Sequence, residues 1–167
     1  LVMTFNAGTV LGETYNVTPT SEMTIQQAVD AAVAGDTIYL AGGTYMLDRS
    51  IHLGNSGEKD NPIRLFAKPG EDVVLDFSNN PMHANPIDHE GPGVTIEDLA
   101  PSLGLYVRGD WWHVKGLTVQ NAPYMGAKVL SSHNVFENIV FRRNKGTGLE
   151  ICGEGEDSMP QRGTPGH

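Results

Sequence analysis

The apolar residues in the second half of the chain recur with a spacing of 22 residues. Three glycines mark the repeat, Gly104, Gly126 and Gly148. Apolar residues follow each glycine at the same two distances: Leu105, Ala127 and Leu149 directly after it, then Val107, Val129 and Ile151. A repeat of this length without helical periodicity predicts a solenoid in which equivalent side chains of successive coils stack on one another.

Each repeat also alternates in the manner of short strands. Residues 105–108 alternate apolar and polar, which places one set of side chains inside and the other outside. The second apolar segment of each repeat is interrupted at Gly116 and at Asn138, where we expect a bend between two strands. About three strands per coil describe an all-β parallel β-helix. An antiparallel sandwich of hairpins is the alternative, and the repeats contain none of the Asn-Gly or Asp-Gly turns that would favour it.

A short helix is predicted ahead of the first coils. Thr24 to Gln27 fits a capping box, and Gly35 is placed to end the helix. An apolar stripe at helical spacing is expected to face the core: Ile25, Ala28, Val29, Ala32 and Val33. Such a helix would cover the open end of the solenoid, where the first coil would otherwise expose its interior and an unpaired strand edge.

The expected organisation is one domain of 167 residues. Strands are predicted over 37–40, 50–53, 62–65 and 73–77, after which the pattern lapses into a stretch rich in Pro, Gly, Asp and His. We interpret that stretch as a long loop inserted into one coil. The predicted divisions are an N-terminal segment with the capping helix (1–35), the first coils (36–78), the inserted loop (79–103), the regular coils (104–151) and a tail (152–167).

The charge is distributed unevenly. The whole chain carries −9, but residues 104–147 contain six basic and two acidic residues, so this part carries +4 and the remainder −13. A positive stretch on an acidic protein indicates a local anionic partner. The overall charge argues against nucleic acid, no nucleic-acid motif is present, and no apolar run is long enough to span a membrane. The single cysteine, Cys152, excludes an internal disulfide.

Several motifs resemble those of a known family. The segments 34–40 (AGDTIYL) and 61–70 (NPIRLFAKPG) are similar to the opening coils of β-helical polysaccharide lyases. The segments 105–117 (LYVRGDWWHVKGL) and 144–151 (NKGTGLEI) resemble more specifically the ninth polysaccharide lyase family, the pectate lyases and their relatives. The resemblance extends from about Thr24 to Ile151 and implies a right-handed parallel β-helix of an extracellular, secreted enzyme.

The resemblance also implies a chemistry. Pectate lyases cleave polygalacturonate by β-elimination, in which the proton next to a uronate carboxylate is removed. Calcium bound by carboxylates neutralises the uronate and stabilises the developing charge, and a lysine with a lowered pKa acts as the base. Calcium is therefore the implied cofactor and an acidic polysaccharide the implied partner.

The chain departs from the family after Ile151. The calcium-binding aspartates and the basic lysine of the family belong to later coils, so no catalytic residue and no metal ligand can be assigned within residues 1–167. We therefore expect this chain to be the N-terminal part of a longer protein, completed by further coils. Glu154, Glu156 and Asp157 match no calcium-loop motif, and we interpret them as solvated loop acids.

A substrate-binding row is predicted on the outside of three consecutive coils. If Leu105, Val107 and their repeats point inward, then Tyr106, Lys128 and Glu150 point outward at equivalent places, with Arg108 one step along the strand from Tyr106. A ring beside cations suits an acidic sugar, with Glu150 at the edge facing the calcium coils. An exposed row with a purely structural Lys128–Glu150 pair is an equal alternative.

The functional hypothesis is a lyase acting on a uronate-rich polysaccharide. Its competitor is a non-catalytic β-helix module that binds polysaccharide or builds a filament or surface fibre. A glycoside hydrolase on the same scaffold would need two paired carboxylates on neighbouring strands. Residues 104–151 offer only Asp110, Glu137 and Glu150, at unmatched repeat positions.

Overall fold

The computed structural model describes residues 12–87 and 92–152. Its elements are, in chain order, β1 (Thr14–Val17), α1 (Ile25–Ala31), β2 (Thr37–Leu40), β3 (Gly43–Met46), β4 (Ile51–Leu53), β5 (Ile63–Ala67), β6 (Val73–Asp76), α2 (Ile96–Leu99), β7 (Leu105–Val107), β8 (Trp112–Lys115), β9 (Leu117–Gln120), β10 (Ala127–Val129), β11 (Val135–Glu137), β12 (Val140–Arg142) and β13 (Leu149–Ile151). Two 3-10 helices, Pro81–His83 and Ala100–Ser102, flank α2.

The strands form three parallel sheets that run along the coils. Sheet A has the order β1-β2-β5-β8-β11, sheet B the order β3-β6-β9-β12, and sheet C the order β4-β7-β10-β13. Every ladder between these strands is parallel, and in sheet C the 22-residue repeat sets the register, with Ala127 between Leu105 and Leu149. These observations confirm the predicted all-β parallel β-helix and exclude the antiparallel sandwich.

Single residues with positive φ make the sharp corners of the regular coils. In one coil they are Trp111 (φ 58°), Gly116 (φ 77°) and Asn121 (φ 57°), which bracket β8 and β9. The next coil repeats them at His133, Asn138 and Arg143. The predicted bends at Gly116 and Asn138 are thus confirmed. At each bend this single residue has a left-handed backbone conformation, which lets two short strands meet at an angle.

The capping helix α1 is confirmed, but its end and one member of its stripe were predicted wrongly. The capping box of Thr24 and Gln27 is present. The helix ends at Ala31, before Gly35, because Ala32 is already extended with ψ 139°. The carboxylate of Asp36 then accepts the backbone N–H of Val33 at 2.9 Å, which turns the chain and leaves the Val33 side chain 62% exposed.

The inserted stretch is more ordered than the predicted loop. Within it, α2 begins with a second capping box, formed by Thr95 and Asp98. Ile96 and Leu99 of α2 are buried in a hydrophobic cluster of their own, separate from the core inside the coils. That cluster also contains Leu103, Tyr106 and Met125, so the insertion packs against the outside of sheet C. In the part of the chain that the structure describes, no helix has the length and apolar character needed to cross a membrane.

Candidate functional site

The outer side of sheet C carries one row of polar and aromatic side chains. The strand register aligns His52 with Tyr106, Tyr106 with Lys128, and Lys128 with Glu150. Apart from Ile151, their neighbours on either side along each strand belong to the core inside the coils or pack against it. The predicted alignment of Tyr106, Lys128 and Glu150 on three consecutive coils is therefore confirmed.

The predicted exposure of this row is wrong for two of its members. Tyr106 is only 4% exposed and Lys128 only 5% exposed, although both point away from the coil interior. Tyr106 packs with Ile96 and Leu99 of the insertion, which therefore covers the outer side of β7. A buried ring presents no face to a sugar, so Tyr106 does not serve as the stacking platform expected from the sequence.

Arg108 and Glu97 close a polar network over the Tyr106 hydroxyl. Nη1 of Arg108 donates to the Tyr106 oxygen and to Oε1 of Glu97, both at 2.8 Å. The Tyr106 hydroxyl donates to the same Glu97 oxygen at 3.3 Å. Burial raises the pKa of Tyr106 and outweighs the nearby Arg108, which acts to lower it. The phenol is therefore neutral, and the more exposed Arg108 is the cation that this end of the row presents.

Lys128 forms a close cluster with Glu150 and Cys152. The Lys128 ammonium donates to Oε1 of Glu150 and contacts Sγ of Cys152 at 3.3 Å. Burial alone would lower the pKa of Lys128, but the hydrogen bonds to Glu150 and Cys152 more than compensate and raise it. For Glu150 the directions are reversed. Burial alone would raise the pKa of its carboxyl group, but the hydrogen bond to Lys128 helps to outweigh burial, and the pKa is lowered. The pair is therefore ionised, and Lys128 is unsuited to act as a base.

His52 belongs to the same row and was missed by the sequence reasoning. Its ring stacks on Tyr106 with centroids 4.9 Å apart and an interplanar angle of 26°, and His52 is exposed. The segment containing it was predicted to be a strand. Its equivalence to the later coils was hidden because the insertion separates it from Tyr106 by 54 residues instead of 22. The inward pair Ile51 and Leu53 on either side of His52 was the available signal.

The described residues do not fit a calcium site. Across residues 12–87 and 92–152, no group of three or more His, Cys, Asp or Glu side chains lies close enough to hold a metal. Glu150 is the carboxylate of the row, and its charge is already neutralised by Lys128. Glu154, Glu156 and Asp157 lie outside the described residues.

Comparison with known proteins gives one consistent relationship. A family described as "Pel9A-like, right handed beta helix region" matches residues 7–162. Pectate lyase L of Dickeya chrysanthemi is 36% identical over 137 residues, which cover 78% of this chain and 29% of the relative. Pectate lyase PEL9 of Emericella nidulans is 36% identical over 142 residues, covering 81% of this chain and 32% of the relative. The chain thus spans about a third of the length of these relatives.

Solved structures agree with that relationship. The crystal structure of pectate lyase Pel9A superposes with a TM-score of 0.68 at 31% identity, over 84% of this chain and 36% of that one. A rhamnogalacturonan lyase shares the fold, with a TM-score of 0.60 at 19% identity. The family match extends over nearly the whole chain, and the sheets, the register and the relatives all agree with it. The chain therefore belongs to the Pel9A-like right-handed β-helix family.

Proposed function

We propose that this chain forms the N-terminal coils of a secreted polysaccharide lyase that cleaves a uronate-rich, pectate-like polysaccharide by calcium-assisted β-elimination. The observation that carries the proposal is its 36% identity to two pectate lyases, one bacterial and one fungal, across about four-fifths of the chain. The role of these coils is to support and extend the substrate-binding face of sheet C.

The row on sheet C supplies the contacts in this proposal. Arg108 pairs with a uronate carboxylate in exchange for Glu97, because both side chains of that ion pair are partly exposed, at 39% and 60%. The exposed ring of His52 packs on a sugar ring beside it. Tyr106 and Lys128 are positioning residues, since they are buried beneath His52, Arg108 and Glu150 and fix their orientation.

The catalytic groups are proposed to lie in coils beyond the described residues. Two observations support this: the described residues contain no cluster of three or more His, Cys, Asp or Glu side chains that could hold a metal, and the relatives are about three times as long as the matched segment. Calcium would supply neutralisation of the uronate carboxylate there. Glu150, at the last described strand of sheet C, stands nearest to those coils.

The test compares this chain with the longer parent protein on polygalacturonate. Unsaturated uronide products absorb ultraviolet light, so elimination is followed directly. We expect turnover by the parent, loss of that turnover with a calcium chelator, and none with the isolated 167-residue chain. Calcium-dependent turnover by the isolated chain would show that the catalytic groups lie within residues 1–167.

A non-catalytic binding module is the second candidate. It becomes the better account if the coils beyond the described residues also lack a cluster of candidate metal ligands, as residues 12–87 and 92–152 do. A parent protein that binds polygalacturonate but yields no unsaturated product, with calcium present, would establish this alternative in place of the lyase.

A further inference from the structure

The outer side of sheet A carries a second set of rings and cations, on a different face from the row of sheet C. Two adjacent register rows supply it. Tyr39, Phe66 and Lys115 lie in one row, and Arg64 and His113 lie in the next. The residues between them on the strands, which include Leu65 and Val114, are fully buried in the coil interior. We call Tyr39, Arg64, Phe66, His113 and Lys115 the sheet A patch.

The aromatic members of the patch touch one another across three consecutive coils. The rings of Tyr39 and Phe66 meet edge to face with centroids 6.2 Å apart. Phe66 and His113 meet in the same manner at 4.8 Å. All three residues are half-buried, so part of each remains accessible. In contrast to Tyr106 on sheet C, these rings therefore keep apolar surface on which a sugar can pack.

Lys115 and His113 of the patch already bind one carboxylate. Glu137 lies at the end of the row and places one oxygen 2.8 Å from Nζ of Lys115 and the other 2.9 Å from Nε2 of His113. Arg64 donates Nη1 to the carbonyl oxygen of Gly35 at 3.2 Å and is only half-buried, so its guanidinium can reach a further acceptor. The geometry is that of a surface that binds carboxylates beside rings, on a protein whose net charge is −9.

We propose that the sheet A patch is a second binding surface for the acidic polysaccharide. A chain segment lies across the coils, its sugar faces on Tyr39 and Phe66 and a carboxylate on Arg64. The choice of polymer rests on the proposed function, whereas the existence of an anion-binding aromatic surface rests on the contacts of the patch. Such a surface would hold a long polymer on the enzyme while another part of the same polymer occupies sheet C.

Binding of polygalacturonate to the intact chain at low salt tests the proposal, with four single variants. Arg64→Gln removes the cation and Tyr39→Ala removes a ring, and each is expected to weaken binding by about two- to fivefold. Glu137→Gln frees Lys115 and His113 from their internal carboxylate and is expected to tighten binding by a similar factor. Arg49→Gln is the matched control, because Arg49 is a highly exposed cation in a turn away from the patch, paired with Asp48.

Two further measurements make the outcome decisive. A fully methyl-esterified polymer lacks the carboxylates, so it should bind more weakly to the unmodified protein, and Arg64→Gln should no longer weaken its binding. Thermal unfolding of each variant shows whether a change in binding comes from a change in folding. Unchanged affinity in both Arg64→Gln and Tyr39→Ala would overturn the proposal, as would equal affinity for the esterified polymer.

The proposal and the lyase function can fail separately. If the parent makes no unsaturated product but the patch variants still weaken binding, the lyase assignment fails and the patch stands. If the parent is a lyase and both Arg64→Gln and Tyr39→Ala bind the polymer as tightly as the unmodified protein, the patch fails alone. A double variant of Arg64→Gln and Arg108→Gln should show additive losses of binding free energy if one polymer is held at both surfaces, and a double loss no greater than the larger single loss would contradict this.

Discussion

The carboxylate of Asp76 shows how a single residue joins two coils. It is buried and accepts hydrogen bonds from Nε2 of Gln120 at 2.6 Å, from Nδ2 of Asn121 at 3.0 Å, and from the backbone N–H of Ser78 at 2.9 Å. Burial acts to raise the pKa of Asp76, but these hydrogen bonds together outweigh it and lower the pKa to about 2. The ionised form is therefore the one that the fold stabilises.

Replacing Asp76 with Asn should lower the free energy of unfolding at neutral pH. It should also make that free energy less dependent on pH in the acid range. Because the pKa falls from the ordinary aspartate value of 3.8 to about 2 in the folded protein, the stabilisation is complete above about pH 4 and is lost as the pH falls towards 2. At pH 7 it amounts to about 2 kcal/mol. Urea unfolding of both proteins at pH 7 and near pH 2 measures this stabilisation. The difference in the free energy of unfolding between the two proteins should largely disappear near pH 2. Asp48→Asn, at a highly exposed site, is the control and should change little.

Lys128 is expected to matter for stability more than for sugar binding. Its side chain is 6% exposed and its ammonium is bonded to Glu150, so removing it leaves a half-buried carboxylate without its partner. Lys128→Ala should lower the free energy of unfolding by about 1–3 kcal/mol, measured by denaturant unfolding. If binding of the polymer weakens while stability is unchanged, Lys128 is a direct contact of the sugar. Arg143→Ala, which removes an exposed cation at the corner after β12, serves as the comparison.

Successive coils stack closely because their backbones approach each other at the repeated glycines. A Cβ at Gly126 would lie 2.5 Å from the carbonyl oxygen of Gly148 and 2.7 Å from a ring carbon of Phe141. The backbone N–H of Ala127 also donates to that carbonyl at 2.8 Å, so the two coils cannot separate without losing the bond. The glycines that recur every 22 residues are therefore explained by the close packing of backbone between the strands of sheet C.

Gly126→Ala should therefore be strongly destabilising. Overpacking of this kind costs about 1–3 kcal/mol in well-packed cores, and contacts with rigid backbone place this site at the upper end. Gly54→Ala is the control, because its new Cβ would meet only the His52 ring at ordinary contact distances, 3.6 Å and beyond. Midpoints of thermal unfolding compare the two. Equal stability of the two variants would contradict the close approach of coils at Gly126.

The sequence predicted the elements best where the 22-residue repeat was intact. The strands of 104–151 and the bends at Gly116 and Asn138 follow from that repeat, whereas β1 and β3, which lie outside it, were missed. The insertion was interpreted as a loop although Thr95 and Asp98 form a capping box that could have been recognised. The alternation of apolar and polar residues predicted which side of β7 faces the core. It could not predict that α2 covers the other side, because that contact depends on how a distant segment folds back.

At the scale of the whole molecule, the last described coil has apolar residues that have no described coil above them. Ile151 belongs to the inward row with Val107 and Val129 but is 68% exposed, whereas Val107 and Val129 are buried. Val135 is similarly exposed, at 49%, but it belongs to the outward row of sheet A with His113. The two residues should therefore respond differently when further coils are present.

Substitution of these two residues by Lys separates an interior position from a surface one. In the 167-residue chain both Ile151→Lys and Val135→Lys should change the free energy of unfolding by no more than about 0.5 kcal/mol, as at exposed sites in general. In the proposed longer parent, a following coil would bury residue 151, and an unpaired ammonium there should cost about 3 kcal/mol or more. Val135→Lys should remain mild in both, because its side chain points outward in either case. Denaturant unfolding of the four variants measures this independently of activity. A parent that tolerates Ile151→Lys as well as Val135→Lys would mean that no coil continues the stack over β13.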